Sequence, residues 1–176
     1  MLNRPFIKDL LAELLELPKN RVIYQNPNAP RLTSTHATIR YFSFQQETAA
    51  EDRRKRDTDE YDVLIVWNAT LELQLYNHED GVSALMMLVH KLNKPSIIER
   101  CSSQGVAFFG TTAVQDITEL IDETSWESRA NVDLMIRFTE SVNDDLPVFD
   151  TVIVNGALNS LPATTGKITK DSKGDY

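Results

Sequence analysis

Apolar and polar positions along the chain alternate with two periods, one near 3.6 and one of two, and the switches between them outline its elements. Between residues 5 and 17, Phe6, Ile7, Leu10, Leu11, Leu14 and Leu15 recur at helical spacing, with Lys8, Asp9, Glu13 and Glu16 opposite. This predicts an amphipathic helix that accepts Pro5 in its first turn and is stopped by Pro18. Residues 21–25 read as a short strand, and 26–30 as a polar loop whose prolines exclude a sheet interior. Residues 38–46, rich in β-branched and aromatic side chains, predict a strand. A longer strand covers 61–76, where Val63, Ile65, Trp67, Ala69, Leu71, Leu73 and Leu75 alternate with Asp62, Asn68, Thr70, Glu72 and Gln74. Such alternation belongs to an antiparallel strand with one face on a core.

A second helix is expected over 79–93, with Val82, Leu85, Met86, Val89 and Leu92 on its apolar side and Pro95 beyond its end. Ser96 and Glu99 stand three apart in a capping-box pattern, which predicts a short helix over 97–103 that ends at Gly105. Strand pieces follow at 106–109 and 113–120, interrupted at Gly110. The last strong strand spans 126–142: Trp126, Ala130, Val132, Leu134, Ile136 and Phe138 share one side, and Glu127, Arg129, Asn131, Asp133 and Arg137 the other. Ser128 is the one polar residue on the apolar side. Residues 148–154 add a final strand. The fold class is therefore α+β, a twisted antiparallel β-sheet with helices packed on one face. Residues 1–156 are expected to form a single domain, with 47–60 a charged hairpin loop and 157–176 a flexible C-terminal arm.

Composition narrows the function classes. The chain has 176 residues, with 18 Lys and Arg against 26 Asp and Glu, a formal charge of −8. Readers of duplex DNA draw affinity from clustered cations, so an acidic domain argues against that role. No apolar run approaches the roughly 20 residues of a membrane span, and the first residues lack the pattern of a secretion signal, so synthesis and assembly in the cytoplasm are expected. Cys101 is the only cysteine; beside Arg100 it reads as a partly buried, inert thiol. His36, His78 and His90 are scattered, and no metal-ligand spacing occurs. The acidic stretch 57–62 lacks the glycine and the distal glutamate of a calcium loop. No catalytic residue, cofactor or metal is expected. A reading of another class, a small metal-dependent hydrolase, would use His78, Glu79 and Asp80. The one basic cluster, Arg53, Arg54, Lys55 and Arg56, is followed by Asp57, Asp59 and Glu60. It reads either as a subunit-interaction loop, pairing opposite charges with a second copy, or as a solvated hairpin tip.

The segment Trp126-Glu127-Ser128-Arg129-Ala130-Asn131-Val132-Asp133 through Phe138 resembles the neck or tail terminator proteins of tailed bacteriophages, in which an acidic-x-Arg-Ala segment opens an alternating strand. The order of elements before it is similar to that family, over about residues 5–155, with Gly81 at the junction between the long strand and its helix. Trp126, Glu127, Arg129, Ala130 and Asp133 carry the resemblance. It implies a non-enzymatic virion protein: a ring, commonly a homohexamer, between the head connector or adaptor and the tail tube, which stops tube growth. DNA would pass through its lumen without specific binding. A head-closure or tail tube protein is the nearest alternative.

Overall fold

The computed structural model describes residues 2–26, 32–47, 51–54, 61–121, 125–144, 151–156 and 164–169. Two units emerge, one of Met1–Glu51 with Val63–Val142 and one of Asp52–Asp62 with Asn143–Tyr176. In chain order the elements begin with α1 (Arg4–Leu14), β1 (Val22–Tyr24), β2 (His36–Gln46), β3 (Glu51–Arg54) and β4 (Tyr61–Tyr76). Then come α2 (Gly81–Leu92), α3 (Pro95–Ser102), β5 (Val106–Thr111), β6 (Gln115–Asp116), β7 (Glu119–Ile121) and β8 (Ser125–Glu127). The last are β9 (Arg129–Asp144), β10 (Thr151–Gly156) and β11 (Thr164–Thr169).

In the first unit the strand order is β1-β2-β4-β9-β5, with β6 also on β9. The β2–β4, β5–β9 and β6–β9 pairs are antiparallel and β1 runs parallel to β2. The Asn77 amide donates to the Ser128 carbonyl, and Arg137 donates to Asn68. Position thus rises along β4 as it falls along β9, which makes the central pair antiparallel too. Alternation then does what the pattern predicts. Ala69, Leu71, Leu73 and Leu75 of β4 and Ala130, Val132, Leu134 and Ile136 of β9 are buried on one face, against Ile7, Leu10 and Leu11 of α1 and Leu85 and Leu88 of α2. Burial of these aliphatics, each worth about 1.5–3 kcal/mol, is the main force holding the layers together. The fold is α+β, with helices on one sheet face.

Several local details depart from the sequence reading. Helix α1 ends at Leu14, with Glu16 in the left-handed region at φ 59°, before Pro18 is reached. Lys91 of α2 donates to the Leu14 carbonyl and pairs with Glu16, so a cation from the neighbouring helix finishes the turn. Helix α2 buries Gly81, Leu85, Leu88 and Leu92, and leaves Met86 and Met87 about half exposed. The run Leu85-Met86-Met87-Leu88 supports two stripes, and packing selects the one carrying both leucines. Helix α3 starts on Lys94 with Pro95 in its first turn and no side-chain cap, so Ser96 and Glu99 form no capping box. Pro95, whose ring presets the helical φ, does that work. Gly110 lies inside β5, after a register shift at Phe108/Gly110, and does not interrupt the strand.

The expected 126–142 strand divides at Ser128 into β8 and β9, and its parity reverses there. Trp126 is 71% exposed while Glu127 is buried, the opposite of the alternation expected from the sequence. Strand β3 falls inside the 47–60 stretch that the sequence reads as a loop. Within the expected 157–176 arm, β11 pairs antiparallel with β10, from Thr151↔Thr169 to Gly156↔Thr164. Four of its six residues are Thr or Ile, and its partner carries Val152, Ile153 and Val154, the β-branched content that favours a ladder.

Gly81 fixes how closely α2 approaches β9. A β-carbon there would lie 3.1 Å from the Ala130 Cβ, so both positions must be small. Ala130→Leu is expected to lower stability by about 1–3 kcal/mol, measured by urea unfolding; an unchanged midpoint would show that the two elements have room to part.

Candidate functional site

The motif segment is built onto one end of the sheet, where β4 turns into α2. The turn is held by short-range bonds. The Asp80 carboxylate accepts from the Ser83 amide and caps α2, and the Asp80 amide donates to His78 Nδ1. Ser83 thereby holds the Asp80 carboxyl below its ordinary pKa. From the other side, the Ser128 hydroxyl donates to the His78 carbonyl and the Asn77 amide to the Ser128 carbonyl. Ser128, read as an intruder on an apolar face, is the stitch between the two segments. The bonds that His78 and Asp80 make here shape a turn and a helix cap. Among the described residues no group of three or more His, Cys, Asp or Glu gathers where it could hold a metal.

Just before Ser128 the chain forms a two-stranded ribbon of β7 and β8, with Glu119↔Glu127, Leu120↔Trp126 and Ile121↔Ser125 as partners. Two glutamates facing each other across a ladder repel. Arg129 resolves the conflict: its Nε bonds Glu127 and its Nη1 bonds Glu119 at 2.6 Å. The guanidinium also lies over the Tyr76 ring at 5.2 Å, and Tyr76 stacks on the buried His36 ring at 4.7 Å. Further bonds, from Arg129 to the Thr118 hydroxyl and from Ile117 to the Arg129 carbonyl, pin the ribbon base to β9. The acidic-x-Arg-Ala segment is thus a clamp: Glu127 and Arg129 fix the ribbon and Ala130 admits Gly81.

Beside the exposed Glu119 and Ser125, the ribbon opens two large apolar side chains. Trp126 is 71% and Leu120 45% accessible. The sheet face away from the helices carries cross-strand charge. Arg40 pairs with Glu72 at 2.7 Å, and Asp133 lies in the same row. Burial, with the neighbouring Glu72, pushes the Asp133 carboxyl above its ordinary pKa despite Arg40. Arg40 and Arg137 also lie over the Phe42 and Phe109 rings, at 5.4 and 5.0 Å. At one end of the strand order, β5 has no further strand beside it among the described residues, and Phe109 stands half exposed on it. Cys101 is buried, and desolvation pushes its thiol up in pKa, away from reactivity.

Of the residues singled out from sequence, Trp126, Glu127, Arg129 and Ala130 come together at the ribbon base, and Asp133 sits further along β9. Arg53 and Arg54 belong to β3, whereas Lys55, Arg56, Asp57, Asp59 and Glu60 lie outside the described residues. Sequence reasoning missed Glu119, Tyr76 and Ser128. The spacing of Glu127 and Arg129, two apart across a single polar residue, was the available signal for a same-side pair.

Arg129→Ala, which leaves Glu127 buried without this partner, is expected to cost about 3 kcal/mol; Glu119→Ala, at an exposed pair, should cost under about 1 kcal/mol. Chemical denaturation of both variants checks the contrast, and equal losses would refute the clamp.

Compared with known families, residues 4–160 match the family model described as phage neck terminator protein. No match is found among curated proteins.

Proposed function

Because the chain belongs to the phage neck terminator family, a family of structural virion proteins, we propose that it forms a ring of identical copies that ends the tail tube and joins it to the head connector. The family match is the observation that carries this reading. The surfaces left over by folding support it. A sheet edge at β5, a protruding ribbon with an open Trp126, and a sheet face laced with charge pairs are features that identical neighbours satisfy. Six copies is the number that the resemblance implies.

The remaining parts have roles in that ring. A surplus of eight negative charges per copy makes a wall that repels the phosphate backbone, so DNA slides through without being held. The basic and acidic run Arg53 to Glu60 is a contact loop to a neighbouring subunit, and the segment after residue 156 engages the connector or the tube. Assembly takes place in the host cytoplasm and the product is carried in the virion.

Tails assembled in a phage lacking this protein are expected to grow past their normal length and fail to join heads, and adding the purified chain should restore both. Electron microscopy of the particles is the readout. Normal tails without the protein would refute the role, and open-ended tubes grown from the purified chain alone would mark it as a tube protein.

A further inference from the structure

The sheet face away from the helices holds two carboxyls directly opposite each other. Arg129 of β9 lies over Tyr76 of β4, and Arg137 donates to Asn68. Glu72 is four residues from each of Tyr76 and Asn68, and Asp133 four from each of Arg129 and Arg137, so the two acids stand face to face on the central antiparallel pair. Facing side chains there have β-carbons about 4.5–5.5 Å apart, and like charges repel. Arg40, opposite Glu72 in the β2–β4 register, completes the row.

The cations of this face are committed elsewhere. Strands β2, β4, β5 and β9 carry Arg40, Arg129 and Arg137 and no lysine. Arg40 pairs with Glu72 at 2.7 Å, Arg129 with Glu127 and Glu119, and Arg137 with Glu47. The Glu72 side chain is only 13% exposed, and its Oε1 accepts from Gln74. Its Oε2 is buried and accepts no aligned hydrogen bond, although the Arg40 charge stands beside it. Such an acceptor lacks a donor, and a protonated carboxyl is one. The other described neighbours of Asp133 along the row and strand are uncharged: Asn131 and Met135 on β9, and Thr112 just beyond β5. The Thr112 amide donates to the Asp133 carbonyl, and its hydroxyl accepts from the Asp133 amide.

We propose that Asp133 is a proton-operated latch on the central strand pair. Protonated, it leaves the row with one cation and one anion and supplies the donor that Glu72 Oε2 lacks. Ionised, it sets a second negative charge against Glu72 and weakens the hold of β4 on β9. Burial first and the Glu72 charge second raise its carboxyl above the ordinary 3.8, with Arg40 opposing. The folded chain therefore binds this proton more tightly than the unfolded chain. The latch is fully set below 3.8 and is released as pH rises through the higher folded value. It belongs to the single subunit and operates whether or not copies close into a ring.

Carbon-detected NMR of the Asp133 carboxyl in the full chain, joined to urea unfolding from about pH 4 to about pH 8, tests it. The carboxyl should titrate with a midpoint above 3.8. That midpoint should fall in Glu72→Gln, which removes the facing charge, and rise in Arg40→Gln. Asp133→Asn, a neutral mimic of the protonated acid, should gain in urea midpoint over the unaltered chain as pH rises. Each pH unit by which the NMR midpoint exceeds 3.8 should appear there as about a tenfold change in the ratio of folded to unfolded chain. Circular dichroism verifies that the variants fold. A carboxyl midpoint at or below 3.8, or urea profiles of Asp133→Asn and the unaltered chain that run parallel with pH, overturns the latch. A midpoint that ignores Glu72→Gln overturns the facing pair on which it is built.

Discussion

The structure depends on one constraint: β4 and β9, paired at the centre of the sheet, alternate in step and must bury the same face. Neither strand can do so alone. Leu71, Leu73 and Leu75 beside Val132, Leu134 and Ile136 make a continuous aliphatic surface, and α1 and α2 are the amphipathic halves that cover it. Glu72 of β4 and Arg129, Asp133 and Arg137 of β9 are thereby sent to the opposite side. Arg40, Glu72 and Asp133, on three adjacent strands, form their row there because the core leaves them no other place.

The same constraint makes the ribbon. Once Ala130 begins the buried row, the chain before it must cross the end of the sheet, and Ser128 bonds the His78 turn at the point where the strand breaks. Parity reverses at that break, so a glutamate goes in and a tryptophan comes out. Arg129 makes the inward glutamate tolerable, since it answers Glu127 and Glu119 together. A stable clamp and an exposed indole are two results of one local event.

Much of the architecture was legible in the sequence. Period two over 61–76 marked β4 with its observed ends, and the heptad-like spacing of Ile7, Leu10, Leu11 and Leu14 marked α1. Antiparallel character followed from one-sided alternation. What was not legible depends on the third dimension. The stripe that α2 buries is chosen by what faces it, since Met86 and Leu88 look alike along the chain. The parity change at Ser128 comes from a hydrogen bond to a carbonyl fifty residues away. Glu119 joined the site only through the ribbon register, which one strand cannot reveal. The family-like segment was visible as a segment, but the separate duties of Glu127, Arg129 and Ala130 required their neighbours.

The central proposal is positional: that copies of this chain form a symmetric collar at the neck of a tailed phage particle. Cryo-electron microscopy of intact virions, with this fold fitted to the density, tests it most directly. The account predicts a closed ring of this α+β fold between head and tail tube, coaxial with the DNA channel. Density for the fold along the tube or in the capsid, with none at the neck, would contradict it.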